Sequence, residues 1–239
     1  MAGILLVLSG SDYWTLNDGT RHPTGYWAEE FVVPHRMFRA RGIDVQIATP
    51  GGASPTVDEG SLTPGANGGD EAKAAELRGY IDSVSAELAR PLALEEAQPR
   101  ASGYDAVFIP GGHGPMEDLP GCQPLGQILT ELYDAGRPVA AVCHGPAGLL
   151  SANREDGSWL FAGCRMTAFT NEEEQQAGLA AKAPWLLETR LAERGAQFDA
   201  GPAWGPHLVT DGNLVTGQNP ASSHVAAEQT LAALGVPQS

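Results

Sequence analysis

The chain has 239 residues, with 14 Lys or Arg against 29 Asp or Glu and a formal charge of −15. This balance repels phosphate backbones and anionic lipid surfaces, so nucleic acid and membrane are poor partners and the acidic excess reads as a solvated surface. Three widely spaced cysteines, Cys122, Cys143 and Cys164, form no secreted disulfide framework and fit a reducing cytoplasm.

The length allows one large domain or two small ones, and one domain over residues 1–239 is the simpler reading. Residues 4–8 (ILLVL) are too short for a signal-peptide core or a membrane span, and no basic residue precedes them; they read as a first strand. A helix over 29–41 and a strand over 45–48 follow. Residues 51–100 interrupt the rhythm: Gly, Pro, Asp and Asn dominate up to Asp70, and Leu77, Tyr80, Ile81, Val84 and Leu88 then mark one face of a helix. We read this segment as an insertion that walls a cleft or builds a dimer contact. Further on come a strand over 106–109, a helix near 125–133, a strand over 139–142 and a helix directly after it. Residues 207–210 and 214–216 flank Asp211-Gly212 as a hairpin, and a last helix spans about 221–234. The alternation predicts an α/β fold, a mostly parallel sheet with helices on both faces. Gly and Pro clusters after the strands place functional loops at their carboxyl ends.

Residues 138–150, PVAAVCHGPAGLL, organise the rest. A buried strand turns sharply into a helix, and Cys143 sits on the corner between small residues. This is the pattern of a nucleophile elbow with Cys in place of Ser, and the first helix amides are expected to favour the thiolate. Side chains adjacent on a sharp turn are expected to diverge, so His144 reads as a poor base for Cys143. It is expected instead to offer its backbone amide to an oxyanion and its ring to the substrate.

Glu30 lies three residues after Trp27 and seven before Met37, on an apolar helix stripe. A carboxyl held there has a raised pKa and suits a group that gives and takes a proton. Pro34 removes the N–H that would bond the Glu30 carbonyl, so the helix is expected to kink or loosen. In PGGHGPMEDL (110–119), Gly112 or His113 is the natural second oxyanion donor facing the elbow. Glu172, Glu173 and Glu174 read as the first turn of a helix capped by Thr170 or Asn171, with one of the three turned inward to orient His144. Tyr26, Trp27 and Trp204 are candidates to narrow the cleft. No metal or nucleotide-binding motif is present.

Taken together, TGYWAEE, FIPGGHG, AVCHGPAG, TAFTNEEE and VTGQNPAS resemble the glutathione-independent glyoxalase III branch of the PfpI-like superfamily, which is related to the class I glutamine amidotransferase fold. The resemblance implies a flavodoxin-like three-layer sandwich, a homodimer, and a catalytic site of Cys143, His144 and Glu30, with Glu174 the best match for the carboxylate that orients the His. It implies a small 2-oxoaldehyde substrate, methylglyoxal, converted with water to lactate without a cofactor, on oxyanion donors at Gly112 and His144 and beside Trp27. Repair of glycated proteins or nucleotides, and a redox-sensor or holdase role, are the competing readings. A glutaminase is disfavoured, because neither His207 nor His224 is followed two residues later by a carboxylate.

Overall fold

The computed structural model describes residues 3–236. In chain order its strands are β1 (Gly3–Val7), β2 (Tyr13–Thr15), β3 (Arg21–Pro23), β4 (Asp44–Thr49), β5 (Leu92–Ala93), β6 (Ala106–Ile109), β7 (Val139–Val142), β8 (Arg165–Met166), β9 (Gln197–Phe198), β10 (Leu208–Asp211) and β11 (Leu214–Gly217). Seven of them make one sheet in the order β10-β11-β7-β6-β1-β4-β5. Every pairing in it is parallel except β10 with β11, the hairpin expected around Asp211-Gly212.

β6 (AVFI) and β7 (VAAV) are buried at every position, because helices cover both faces of a parallel sheet and leave no solvated side. Alternate residues feed two cores. Leu5, Val7, Val107, Ile109 and Ala141 pack on one face with the helix Gln123–Asp134. Ile4, Leu6, Leu8, Phe108, Ala140 and Val142 pack on the other with α1 (Ala28–Ala40) and the last helix, Ser223–Ala233. The resulting three layers are the flavodoxin-like sandwich expected from the resemblance. The pairings Ile109 with Ala141 and Gly217 with Val142 bring the carboxyl ends of β6, β7 and β11 side by side, and the loops that leave them meet there.

α1 carries Pro34 inside one continuous helix. Local structure departs from expectation in three places. The segment after the elbow is a 3-10 helix, Gly145–Ser151, too short and tightly wound to carry a strong dipole. Residues 51–100 do hold the expected helix, α2 (Glu71–Ser83), with Leu77 and Ile81 buried, but they also supply β5, the edge strand beside β4. β2 and β3 form a small antiparallel hairpin of their own. Strands of two or three residues are too short for periodicity to reveal. No helix among the described residues is long and apolar enough to cross a membrane.

Candidate active site

Cys143 stands at the carboxyl end of β7 with φ 57°, one of two non-glycine residues among those described in the left-handed region. A side chain held there stores strain of about 1–3 kcal/mol, and neighbours on both sides hold it. The Cys143 N–H donates to the Gly217 carbonyl at 2.9 Å, and its carbonyl accepts from Phe169 N–H at 2.9 Å. Gly145 is obligatory, since a Cβ there would stand 2.1 Å from the Ile109 carbonyl oxygen. The elbow is therefore real, and it aims the sulfur inward: Cys143 is buried.

The expected divergence of Cys143 and His144 is not found. His144 Nδ1 lies 3.3 Å from the Cys143 sulfur. The physical reason is the left-handed Cys143 backbone followed by a right-handed one at His144 (φ −88°, ψ −2°), which curls the turn so that both side chains enter one cavity. The far nitrogen of His144, Nε2, lies 2.7 Å from Glu174 Oε2.

The three consecutive glutamates have three different fates. Glu172 is exposed and accepts from Gln176. Glu173 is fully buried and closes a capping box with Thr170. Its other oxygen accepts from Trp204 N–H, Gln218 and Asn219, and so ties down the loop that carries Trp204. Glu174 alone faces His144, and its second oxygen lies 2.9 Å from His113 Nε2. Burial raises the Glu174 pKa, but the charges and hydrogen bonds of His144 and His113 outweigh that and hold the carboxyl well below its usual range. An ionised carboxylate only accepts, so each facing Nε2 carries a proton and His144 Nδ1 turns its lone pair to the thiol. Sequence reasoning expected His113 to act through its backbone and missed its ring. No local pattern announces that ring, because its partner lies 61 residues away.

From the opposite side comes Glu30, fully buried on α1. Its Oε2 accepts from Gly111 N–H at 2.6 Å. Its Oε1 has no conventional hydrogen-bond partner. Burial pushes the Glu30 carboxyl up to about 8, against the lowering effect of hydrogen bonds with the Cys143 side chain and the Gly111 amide. The Cys143 thiol is also pushed up, first by burial and then by the negative charge of Glu30, while the Gly112 amide opposes both. This corrects the expectation that the first helix amides favour the thiolate: the sulfur is desolvated, and after burial it is the charge of Glu30 that weighs most against ionisation. When Glu30 holds its proton it stops repelling the thiolate and becomes a donor to it. Gly111 makes this approach possible, since a Cβ there would stand 2.6 Å from His144 N and 2.8 Å from Glu30 Oε2. The neighbouring Glu29 points outward and pairs with Lys73 at 2.7 Å.

Over the sulfur lies a cavity of about 70 Å³, walled by Trp27, Gly112, His113, Phe169, Trp204 and Pro220. A cleft of about 630 Å³ shares Trp27, Trp204 and Pro220 with it, and residues 65–68 and Lys73 form its far side, so the 51–100 segment does wall the cleft. Tyr26 does not narrow it: that ring is buried in the core against Phe31. His207 pairs with Asp199 and His224 with Glu228, so neither joins the cysteine. His113, His144 and Glu174 are the described group whose donor atoms lie close enough to be weighed as metal ligands. Their N–O separations of 2.7 and 2.9 Å are those of charge-assisted hydrogen bonds. Two ligands about 2.0–2.1 Å from a tetrahedral zinc would stand further apart, so the set fits a hydrogen-bonded chain.

The DJ-1/PfpI family model matches residues 24–233. "Glyoxalase 3" of Candida albicans is 32% identical over 98% of this chain and 98% of its own. "Glutathione-independent glyoxalase HSP31" of Saccharomyces cerevisiae is 34% identical over 97% of each. The crystal structure of glyoxalase III from Candida albicans superposes with a TM-score of 0.83 at 31% identity, covering 97% of each chain. The family match over most of the chain, with relatives 32% and 34% identical along nearly its whole length, places the chain in the DJ-1/PfpI family.

Proposed function

We propose that this protein is a glutathione-independent glyoxalase of the glyoxalase III type, which converts methylglyoxal and related 2-oxoaldehydes with water to lactate. The observation that carries this reading is buried Cys143 lining a cavity of about 70 Å³, with the fully buried Glu30 carboxyl, raised to about 8, beside it. Such a cavity admits on the order of five water-sized groups, enough for a three-carbon dicarbonyl compound.

In the reaction, the Cys143 sulfur bonds to the aldehyde carbon as His144 Nδ1 takes the thiol proton, and the imidazolium is held by Glu174. The amides of Gly112 and His144 serve as donors to the hemithioacetal oxygen, and Trp27 bounds the substrate. Glu30 gives its own proton to the hemithioacetal oxygen and, now a carboxylate, removes the proton from the former aldehyde carbon, giving an enediolate. It returns that proton to the adjacent carbon and recovers its own from the oxygen that becomes the thioester carbonyl, while the His144 imidazolium gives its proton to the new hydroxyl. The first carbon is oxidised to a thioester and the second is reduced to an alcohol, so electrons balance within the substrate. Water then cleaves the thioester, releasing lactate and the free thiol.

Purified protein incubated with methylglyoxal and no glutathione should form lactate, and Cys143→Ala should form none. Absence of lactate at any reasonable enzyme concentration would move the assignment to the redox-sensor or holdase reading. The cleft of about 630 Å³ beyond Trp27 and Trp204 favours repair of glycated proteins or nucleotides as a second reading. A reagent that traps free methylglyoxal separates the two, because direct repair continues in its presence. We read the whole chain as one PfpI-like domain with residues 51–100 as its insertion. The three free cysteines support a cytoplasmic site of action.

A further inference from the structure

We infer that His113 is a positioning residue: by sharing the Glu174 carboxylate with His144, it keeps the His144 ring neutral, with its unprotonated nitrogen on Cys143. Its consequence for turnover rests on the glyoxalase reading; the geometry does not.

One orienting acid for one imidazole would suffice for the chemistry, yet Glu174 gives one oxygen to His144 at 2.7 Å and the other to His113 at 2.9 Å. The two rings sit 4.2 Å apart at 41°. At that separation, in a buried site, a proton gained by one ring strongly opposes a proton on the other. His113 is fixed from behind by Trp14, stacked at 5.1 Å and 19°. Trp14 belongs to the β2–β3 hairpin, which thereby gains a role at the site.

The groups that face His144 are few. Phe169 covers its ring at 4.4 Å, Cys143 and beyond it Glu30 lie on the Nδ1 side, and Glu173 and Glu174 come from the helix Asn171–Gln176. His113 comes from the loop after β6, with His22 of β3 edge-on to it at 6.3 Å. Burial and then His113 depress the His144 pKa, against the upward pull of Glu174. Removal of the His113 ring leaves the whole carboxylate to His144, so His144 should protonate at higher pH.

Imidazole long-range ¹H–¹⁵N spectra report the tautomer and titration of each ring. In the native protein both His113 and His144 should carry their proton on Nε2. In His113→Leu the His144 midpoint should rise by about one pH unit, as should the acid limb of kcat/KM with methylglyoxal. His113→Gln keeps an N–H donor to Glu174 and should restore most of the native midpoint. An unmoved His144 midpoint in folded His113→Leu would overturn the inference. So would a native His113 protonated on Nδ1 alone, which decides the matter even if the leucine variant does not fold. A protein that makes no lactate but shows the shifted midpoint would remove the glyoxalase reading and leave this one standing.

Discussion

Glu30 shows how much a single residue can be asked to do. A carboxyl with one oxygen on the Gly111 amide and the other without a conventional partner sits in the core because the thiol beside it needs a proton carrier. Its pKa of about 8, against an ordinary 4.5, means that the folded protein binds this proton more tightly than the unfolded chain does. The stabilising contribution is therefore complete below pH 4.5 and is lost as pH rises through 8. Glu30→Gln keeps the shape and the acceptor for Gly111 but has no charge to desolvate. Its melting temperature should match the native protein near pH 4 and exceed it increasingly toward pH 9, which differential scanning calorimetry reads directly. Parallel pH dependences in the two proteins would mean that the carboxyl is not held protonated. The same variant should lose on the order of 100- to 10,000-fold in kcat with methylglyoxal, the usual worth of a positioned acid–base group. The apolar stripe around Glu30 is visible in the sequence, and its buried setting follows from it. The choice among Glu172, Glu173 and Glu174 is not visible in the local pattern, because all three suit the acidic first turn; the family resemblance singled out Glu174, and the helix's docking turns that residue to His144.

At the scale of elements, α1 is the beam on which the site hangs, and α2 is pinned to it through a buried histidine. His35 is fully buried, its Nδ1 lies 2.8 Å from the Tyr80 hydroxyl, and its Nε2 has no hydrogen-bond partner, with Glu87 Oε2 3.8 Å away. Burial, then Arg39, pushes the His35 pKa down to about 4. The folded protein thus resists a proton that the unfolded chain accepts at about 6.5, so the stability tied to neutral His35 is present above pH 6.5 and lost as pH falls toward 4. His35→Phe retains the stacking on Phe31 and gives up the Tyr80 bond, worth about 1 kcal/mol. Urea denaturation should find it slightly less stable than native at pH 7.5 and more stable at pH 4.5. A variant that tracks the native protein across that range would show that His35 does not set the acid limit. Of the face marked in the sequence, Leu77, Tyr80 and Ile81 lie on α2, whereas Val84 caps it and Leu88 falls in the next short helix, Ser85–Leu88. The tie between α1 and α2 is a contact across 45 residues that no helical period encodes.

For the whole molecule, the family resemblance adds a homodimer to the reading, and sedimentation equilibrium should return about twice the 25.0 kDa chain mass. A monomer mass at micromolar concentration would remove that expectation without touching the site. By itself the sequence determined the strands of the sheet centre, because continuous apolar runs bounded by Gly and Pro leave few other options. It also determined the elbow at Cys143, where small residues must follow a buried strand, and the acid on the stripe of α1. Only the tertiary structure decided that His144 curls back to the sulfur, that Glu174 is the carboxylate it meets, that His113 shares that carboxylate, and that β5 and the β2–β3 hairpin exist. Apolar runs and the Gly and Pro signals that bound them are carried by neighbours in the chain, so they can be read from local pattern. The convergence of side chains from α1, the loops after β6 and β7 and the helix Asn171–Gln176 depends on strand order and register, which join residues dozens of positions apart.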